Sequence, residues 1–485
     1  MGGIVLSAIM LHNTLTRSVD SFAPIDANEV KLYTCGPTVY DYATIGNMRA
    51  YLFADILRRS LEYFGYHVKQ VMNITDVGHL VSDADEGEDK MLIGMRREGK
   101  TPWEIAEHYT AIFFRHAAAL NILRPHVVAK ATEHVPQMIE FIKRLETLGY
   151  TYEISDGVYF DISKFEAYGQ LSKLDLEGQR AGARVDVNLE KRHPADFAVW
   201  RKADPSHIMQ WDSPWGRGYP GWHIECSAMS MEYLGERIDI HTGGIDHVPV
   251  HHEGEIAQND AALGHRVVQR WMHNEFLQID GGRMGKSLGN FYTVDDLVDR
   301  GFEPLAYRYF SLNAHYRSKL NFTWDALKGA QTALHRLWQR TNELATRVAS
   351  PSLDQILAGG RSVAGDPAAE RFAAAIADDL GTPQAMAVLW EVARRDDDPE
   401  QCLALLIDFD RVLALDLARA ARGELQRNQQ LTDDDIPAEA SSLLDRRERA
   451  RSARDWAAAD AIRNQLASMG YMIEDTPIGP KLKHK

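Results

Sequence analysis

Between Val30 and Ile74 the hydrophobic period changes twice, from alternation to helical spacing and back, and this order restricts the fold more than any other feature. Val30 to Cys35 alternates as a strand does, and Gly36 and Pro37 end it in a turn that runs to Gly46. Met48 to Phe64 then carries apolar residues at helical steps, and Val68 to Ile74 reads as the next strand. Strand, helix and strand in this order make a βαβ unit, whose two strands run parallel because the helix carries the chain back to the starting edge. The expected class is therefore α/β, with a parallel sheet and a nucleotide-type site at the first strand-to-helix turn.

A chain of 485 residues exceeds one ordinary core, so two to four packed units are expected. From about Asp83 to Trp200 the pattern is mixed, with a helix-like run from Val135 to Leu148 and hairpin-like segments around Tyr152 to Phe160, and it reads as an insertion. Strand and turn signals return from Gly221 to Gly289, so the interrupted unit resumes there. From Asp325 helices take over: Leu327, Ala330, Leu334, Leu337 and Trp338 form a stripe at three- and four-residue steps. Pro351 to Pro367 reads as a loop or linker. A helical segment over Ala368 to Arg395 is expected to break near Gly381 and Pro383, because proline disfavours helix in the residue before it. Ser441 to Met469 gives two short helices. The expected division is a first unit over 10–315, with its insertion at roughly 115–200, a helical unit over 316–427 and a small module over 428–485.

No uninterrupted apolar stretch reaches about 18 residues, so no membrane span is expected. The apolar start, Met1 to Met10, lacks a basic flank and a small-residue cleavage site; it does not read as a secretion signal, and Met10 is a candidate start. Three scattered cysteines, Cys35, Cys226 and Cys402, do not make a disulfide framework and point to a reducing compartment, with the cytoplasm as the default. A net charge of -15 first argues against nucleic acid, since phosphate binding draws on Lys and Arg. The charge is uneven, however: from Ser441 onward nine basic groups, Arg446, Arg447, Arg449 and Arg451 among them, face six acidic ones. A solvated helix face is the plain reading of such a run, and only a catalytic domain that needs RNA would reverse it.

Three constellations carry chemistry. Cys35-Gly-Pro-Thr-Val-Tyr-Asp-Tyr-Ala-Thr-Ile-Gly-Asn47 joins strand to helix, and a helix start with unpaired N–H groups is a natural phosphate site. Gly46 permits close approach to the backbone, and Thr44 and Asn47 can donate to phosphate oxygens, although such residues at a helix start are more often caps. The second is the basic glycine-rich loop Arg283-Met-Gly-Lys-Ser-Leu-Gly-Asn290, where Lys286 offers a compact mobile charge suited to a triphosphate. An ordinary surface turn is its plain alternative. The third is dispersed: Cys35, Cys226, and His251 with Glu255, the last two spaced to share a helix face and so able to join two thiolates on one metal. A buried cysteine is usually a small core residue. His252 competes for the same role, whereas His241, His247 and His273 read as hydrogen-bonded core or surface histidines.

The order of these pieces, together with CysGlyProThrValTyrAsp, GlyTrpHisIleGluCysSerAlaMet, HisHisGluGlyGluIleAlaGln and LysSerLeuGlyAsn, closely resembles the cysteinyl-tRNA synthetases, from about Asn13 to the C-terminus. The resemblance implies a class I Rossmann-type nucleotide-binding catalytic domain with a connective insertion, then an α-helical anticodon-side domain and a small C-terminal module. It implies activation of L-cysteine with ATP and Mg²⁺, transfer to tRNA(Cys), one Zn²⁺ per chain, and a monomer without membrane attachment.

By that resemblance, Thr44-Ile45-Gly46-Asn47 stands at the HIGH signature, with threonine in place of the leading histidine, and Arg283-Met284-Gly285-Lys286-Ser287 stands at KMSKS, with the first lysine exchanged for arginine. Lys286 is implied as the main stabiliser of the triphosphate, supported by Arg283. Cys35, Cys226, His251 and Glu255 match the family's zinc ligands, Trp222 its wall beside the amino-acid side chain, and Gly243, Gly244 and Asp246 its adenosine-binding segment. Asp378-Asp-Leu-Gly-Thr-Pro383 resembles part of the helical domain, and Arg454-Asp-Trp-Ala-Ala-Ala-Asp460 part of the terminal module, where Trp456 is either a base-stacking or a core residue. Two rivals remain at this point. A ligase joining cysteine to an amino-sugar shares the catalytic half but lacks the anticodon-binding C-terminus, and a zinc-dependent RNA-binding protein without catalysis would account for the altered Thr44 and Gly285.

Overall fold

The computed structural model describes residues 9–78, 90–173, 188–205, 207–285, 288–425, 437–453, 455–476 and 479–484. The chain divides into two compact units, one of Met1–Thr332 with Ala364–Val388 and Arg411–Leu415, the other of Ala333–Val363 with Leu389–Asp410 and Asp416–Lys485.

In the first unit, strand β1 (Val30–Thr34) leads through the glycine–proline turn to helix α1 (Ile45–Tyr63), which returns the chain to strand β2 (Val68–Ile74). A Cβ on Gly36 would lie 1.6 Å from the Asn73 carbonyl oxygen, so only glycine lets the end of β1 turn against β2. Strand β3 (Val127–Lys130) extends the sheet beyond β2. The chain comes back through strand β8 (Ile238–Gly244) and strand β9 (Val268–Asn274) on the opposite side of β1, after an insertion with four strands of its own. The five strands are parallel in the order β9-β8-β1-β2-β3. The order reverses between β1 and β8, and in open parallel sheets the crevice at such a switch point, outside the carboxyl ends of the strands, is where ligands bind.

The insertion starts with helix α2 (Val135–Thr147) and carries an antiparallel sheet of β4 (Thr151–Ile154), β5 (Gly157–Phe160), β6 (Phe197–Lys202) and β7 (Gly218–Pro220). Helices α3 (Trp222–Leu234) and α4 (Glu253–Leu263) pack with α2 and this sheet in one core that includes Met138, Ile142, Phe160, Trp200 and Met229. On the other side, Phe53, Leu57 and Leu61 of α1 lie with Leu32, Ile240 and Met272 of the parallel sheet. Polar groups inside α1 are fully employed: Asp55 receives the buried guanidinium of Arg308 at 2.6 Å, that of Arg59 at 2.9 Å and the backbone N–H of Leu123 at 2.8 Å. Removing one member of so buried a pair would cost about 3–5 kcal/mol.

The expected stripe Leu327, Ala330, Leu334, Leu337 and Trp338 is buried along one helix, Trp324–Thr346. Helices Pro367–Ala377 and Thr382–Ala393 break around Gly381, as the sequence predicts. Pro351 to Pro367 is not loop throughout: Ser352–Leu357 is a short helix, because Leu353, Ile356 and Leu357 share a face and Ile356 is buried. At the C-terminal end, helices Ala438–Ser452 and Trp456–Ser468 are followed by a hairpin, Tyr471–Thr476 with Gly479–His484, beyond the point where the sequence pattern ended. They enclose their own core of Ala440, Leu443, Ile462, Leu466, Tyr471 and Leu482, while Trp456 is 60% exposed and is therefore no core residue. Among the described residues no helix is long and apolar enough to cross a membrane.

Candidate active site

A cavity of about 830 Å³ opens at the carboxyl ends of β1, β8 and β9, where Cys35, Gly243, Gly244 and Asn274 reach it. At Cys35 it adjoins a buried cluster. Donor atoms of Cys35, Cys226, His251 and Glu255 all lie within 4.8 Å of one another, brought there by the end of β1, by α3, by a π-helical turn (Val248–His252) and by α4. His251 Nε2 stands 3.1 Å from Glu255 Oε1, so the four-residue spacing does place both on one face, across the junction of the two helical turns. Two thiols, an imidazole and a carboxylate are the donor set and number that suit zinc, and the residues therefore fit such an ion.

A second four-donor set, Cys35, His241, His252 and Glu255, shares two members with the first. Its histidines are already tied. His241 Nε2 lies 3.0 Å from Glu255 Oε2; His252 lies 3.2 Å from Cys35 Sγ through Nε2 and 2.7 Å from His273 through Nδ1; His273 in turn reaches Thr14. His251 is backed by His223, with their Nδ1 atoms 3.2 Å apart. Partners of this kind fix the orientation and tautomer of metal ligands. Only the first set holds both thiols, which favours it for a soft cation.

The charges are set by this packing. Burial pushes the Cys35 thiol well above its ordinary value, helped by Cys226 and Glu255. At Cys226 burial acts in the same sense, but its hydrogen bond with Cys35 and the neighbouring His251 outweigh it and bring the thiol down to about 7. Burial also disfavours the charged forms of Glu255 and His251, yet His241 and His251 bring the carboxyl down to about 2, and Cys226 and Glu255 bring the imidazole up to about 10. Burial and the adjacent rings hold His252 and His273 well below the usual histidine range. A cation entering the first set would displace the His251 proton, so its affinity rises with pH.

Trp222, the first residue of α3, stands beside the cluster with its ring centroid 4.4 Å from that of His251. Gly243, Gly244 and Asp246 line the cavity. A Cβ on Gly243 would meet His252 at 2.6 Å and His247 at 2.8 Å, so glycine is needed there for two imidazoles to pack against the strand end.

The outer end of the cavity is formed by the start of α1 and the basic loop. Thr44 is the N-cap: its hydroxyl accepts from the Asn47 N–H at 3.1 Å and donates to Asn47 Oδ1 at 2.7 Å. The hydroxyl proton is thus spent within the cap, and the N–H groups of Ile45, Asn47 and Met48 donate to the Tyr292 carbonyl, the Thr44 hydroxyl and the Thr44 carbonyl, so the helix start offers an anion the N–H of Gly46 and the positive end of its dipole. A Cβ on Gly46 would lie 3.5 Å from Met284 Cε, so what approaches that glycine here is the chain's own loop. Arg283 lines the cavity with Met284 and Gly285, and Asn290 braces the loop by accepting from the Gly285 N–H and donating to the Arg283 carbonyl. Lys286 lies outside the described residues.

Sequence reasoning read His241 as a hydrogen-bonded core or surface histidine, and it is buried and hydrogen-bonded, but that its partner is the Glu255 carboxylate was not foreseen; that reasoning passed over His223. It also passed over Glu253, a fully buried carboxylate that accepts from the N–H groups of Gly169, Leu171 and Ser172 and so fastens the insertion to the cluster-bearing helix. The density of His between Trp222 and His273 was the available signal.

A parallel sheet with a nucleotide-type helix start, a long insertion and a basic loop is the architecture of class I aminoacyl-tRNA synthetases, and the family model of the tRNA synthetases class I (C) catalytic domain matches residues 21–332. The model of the cysteinyl-tRNA ligase anticodon binding domain matches residues 433–479. The chain is 49% identical to cysteine–tRNA ligase 1 of Burkholderia lata, over 98% of this chain and 96% of that protein, and 43% identical to the cysteine–tRNA ligase of Treponema denticola, over 96% and 98%. In fold it is similar to Mycobacterium tuberculosis methionyl-tRNA synthetase in complex with methionyl-adenylate, with a TM-score of 0.55 and 15% identity, over 89% of this chain and 96% of that one. The chain belongs to the cysteine–tRNA ligase family of class I aminoacyl-tRNA synthetases.

Proposed function

We propose that this chain activates L-cysteine with ATP to cysteinyl-adenylate and then transfers cysteine to the terminal ribose of tRNA(Cys). The observation that carries this reading is that one cavity reaches, through Cys35, a buried two-thiol donor set at one end and is lined by a helix start and a basic loop at the other. A thiol-bearing substrate and a triphosphate would thus meet at their reacting ends.

Cys35, Cys226, His251 and Glu255 hold zinc in this proposal. When bound, zinc supplies a soft acceptor for the cysteine thiolate, which a serine hydroxyl would match only by ionising at far greater cost. Trp222 walls the side chain, His241 orients Glu255, and Gly243, Gly244 and Asp246 receive the adenosine. The cysteine carboxylate attacks the α-phosphorus of ATP, which enters with Mg²⁺, and pyrophosphate leaves. The N–H of Gly46, the side-chain amide of Asn47, Arg283 and Lys286 meet the charge on the departing group, which grows in the transition state and is where electrostatic stabilisation counts. A ribose hydroxyl of tRNA then attacks the adenylate carbonyl, and no covalent enzyme intermediate is needed.

Residues 10–315 are assigned to catalysis, with an insertion that the sequence puts at roughly 115–200 but that starts only after β3 (Val127–Lys130), because that strand belongs to the parallel sheet; 316–427 are assigned to the helical anticodon-side domain and 428–485 to the terminal module, where the arginines and exposed Trp456 meet RNA. The match of residues 433–479 to an anticodon binding domain supports tRNA over an amino-sugar as acceptor. A cytoplasmic monomer is the expected state. Cysteine-dependent exchange of pyrophosphate into ATP, followed by charging of tRNA(Cys), tests the proposal. Exchange with cysteine and not with serine is the expected result, and an absence of exchange from folded, zinc-loaded protein would overturn it.

A further inference from the structure

The geometry points to Lys319 as a further phosphate-binding residue, one that takes oxygens of the ATP triphosphate from the wall facing α1. This rests on the proposed use of ATP. Lys319 lines the same cavity as Thr44, Asn47 and Arg283. Its side chain is exposed, and among the described residues no hydrogen bond or ion pair engages its ammonium group. Of the three acids on that cavity, Asp41 is held by Arg97 at 2.9 Å, Glu275 accepts from the N–H of Phe276, and Asp246 stands against Gly244 at the end of β8. An uncommitted ammonium at the mouth of a cavity that also presents a helix N-terminus is placed to bind an anion.

The plain alternative is a solvated surface lysine. What distinguishes Lys319 is the anchoring of its backbone. Strand β10 (Leu277–Ile279) pairs with strand β11 (Leu320–Phe322), and the Leu320 N–H donates to the Phe276 carbonyl at 3.2 Å, so Lys319 enters the paired segment directly beside Phe276. The buried guanidinium of Arg49 then clamps this junction: it donates to the carbonyls of Glu275 and Phe276 at 2.6 Å each and to that of Ser318 at 2.5 Å. Arg49 belongs to α1, one turn beyond the cap formed by Thr44 and Asn47. The backbone that carries Lys319 is thereby fixed to the helix whose N-terminus forms the outer end of the cavity, so on meeting a phosphate the ammonium gives up only the freedom of its own side chain. Because the Thr44 hydroxyl proton is committed to the cap, a cation from this second wall supplies charge that position 44 does not.

The test compares the full-length wild type with Lys319→Ala and Lys319→Arg in cysteine-dependent ATP–pyrophosphate exchange and in equilibrium titration with ATP. Loss of one charge-assisted contact should weaken ATP binding and raise the KM for ATP about tenfold, leave the KM for cysteine unchanged, and be largely reversed by arginine. Unchanged ATP affinity and exchange in Lys319→Ala would overturn the assignment. Normal exchange with slowed single-turnover transfer from preformed adenylate would move the lysine to a phosphate of the tRNA end and overturn it equally. A wild type that binds ATP but shows no cysteine-dependent exchange would defeat the proposed function, while the ratio of ATP affinities would still judge Lys319.

Discussion

The two ends of the cavity are built on opposite principles. At the inner end Cys35, Cys226, His251 and Glu255 are buried and already paired with one another, and His241, His223, His252 and His273 surround them in a continuous polar network. Each group there is fixed by its neighbours before any ligand arrives, so a change at one is felt by all. At the outer end Arg283 and Lys319 are exposed, and Gly46 at the start of α1 lines the open cavity. There a change should be felt mainly when the ligand's charge is present. The inner end therefore suits selection among small side chains, and the outer end suits stabilisation of a transient charge.

The largest break in this contrast should come from Cys226→Ser. A hydroxyl is a poor zinc ligand, so zinc content should fall well below one per chain and cysteine activation by about a thousandfold. Full zinc occupancy with normal activation would remove Cys226 from the site. Lys286→Ala, in the basic loop proposed to meet the triphosphate, should lower kcat of adenylate formation about a hundredfold with little effect on the KM for cysteine if its ammonium acts on charge present chiefly in the transition state. A loss confined to the KM for cysteine would contradict that. His241→Ala probes the network behind the donors, and zinc affinity measured by chelator competition should fall about tenfold or more. Complete loss of zinc in His241→Ala, with zinc retained in His251→Ala, would select the second donor set instead.

These expectations also mark how far the sequence could be read. The βαβ opening and the break at Gly381 were legible because they are local: period, turn residues and proline act within a few positions. Cys35, Cys226, His251 and Glu255 were nameable because their chemistry is restricted and their motifs are familiar, and the fold places their donor atoms together. The roles of His241 and Glu253 were not legible. His241 meets Glu255 only because β8 ends beside α4, and Glu253 meets Gly169 only because the insertion folds back, and neither contact leaves a local pattern. The cap at Thr44 is an intermediate case: the residue type announced a helix start, but that its hydroxyl proton goes to Asn47 Oδ1 is a matter of geometry alone.

That cap yields the smallest effect and the finest test of the contrast. Thr44→Ala and Thr44→His both remove the hydroxyl that accepts from the Asn47 N–H, and loss of an N-cap costs about 1 kcal/mol, so both should unfold at a slightly lower temperature than the wild type. In rate they should part. Alanine leaves position 44 with nothing to offer a phosphate, and exchange should fall a few-fold as the first turn frays. Histidine brings an imidazole donor with longer reach and should keep the wild-type rate or exceed it. If the two variants lose stability together but exchange equally well, position 44 serves the outer end only by shaping the helix start. If histidine abolishes exchange altogether, the space beside Gly46 and Met284 is fitted to threonine, and the outer end is as closely specified as the inner one.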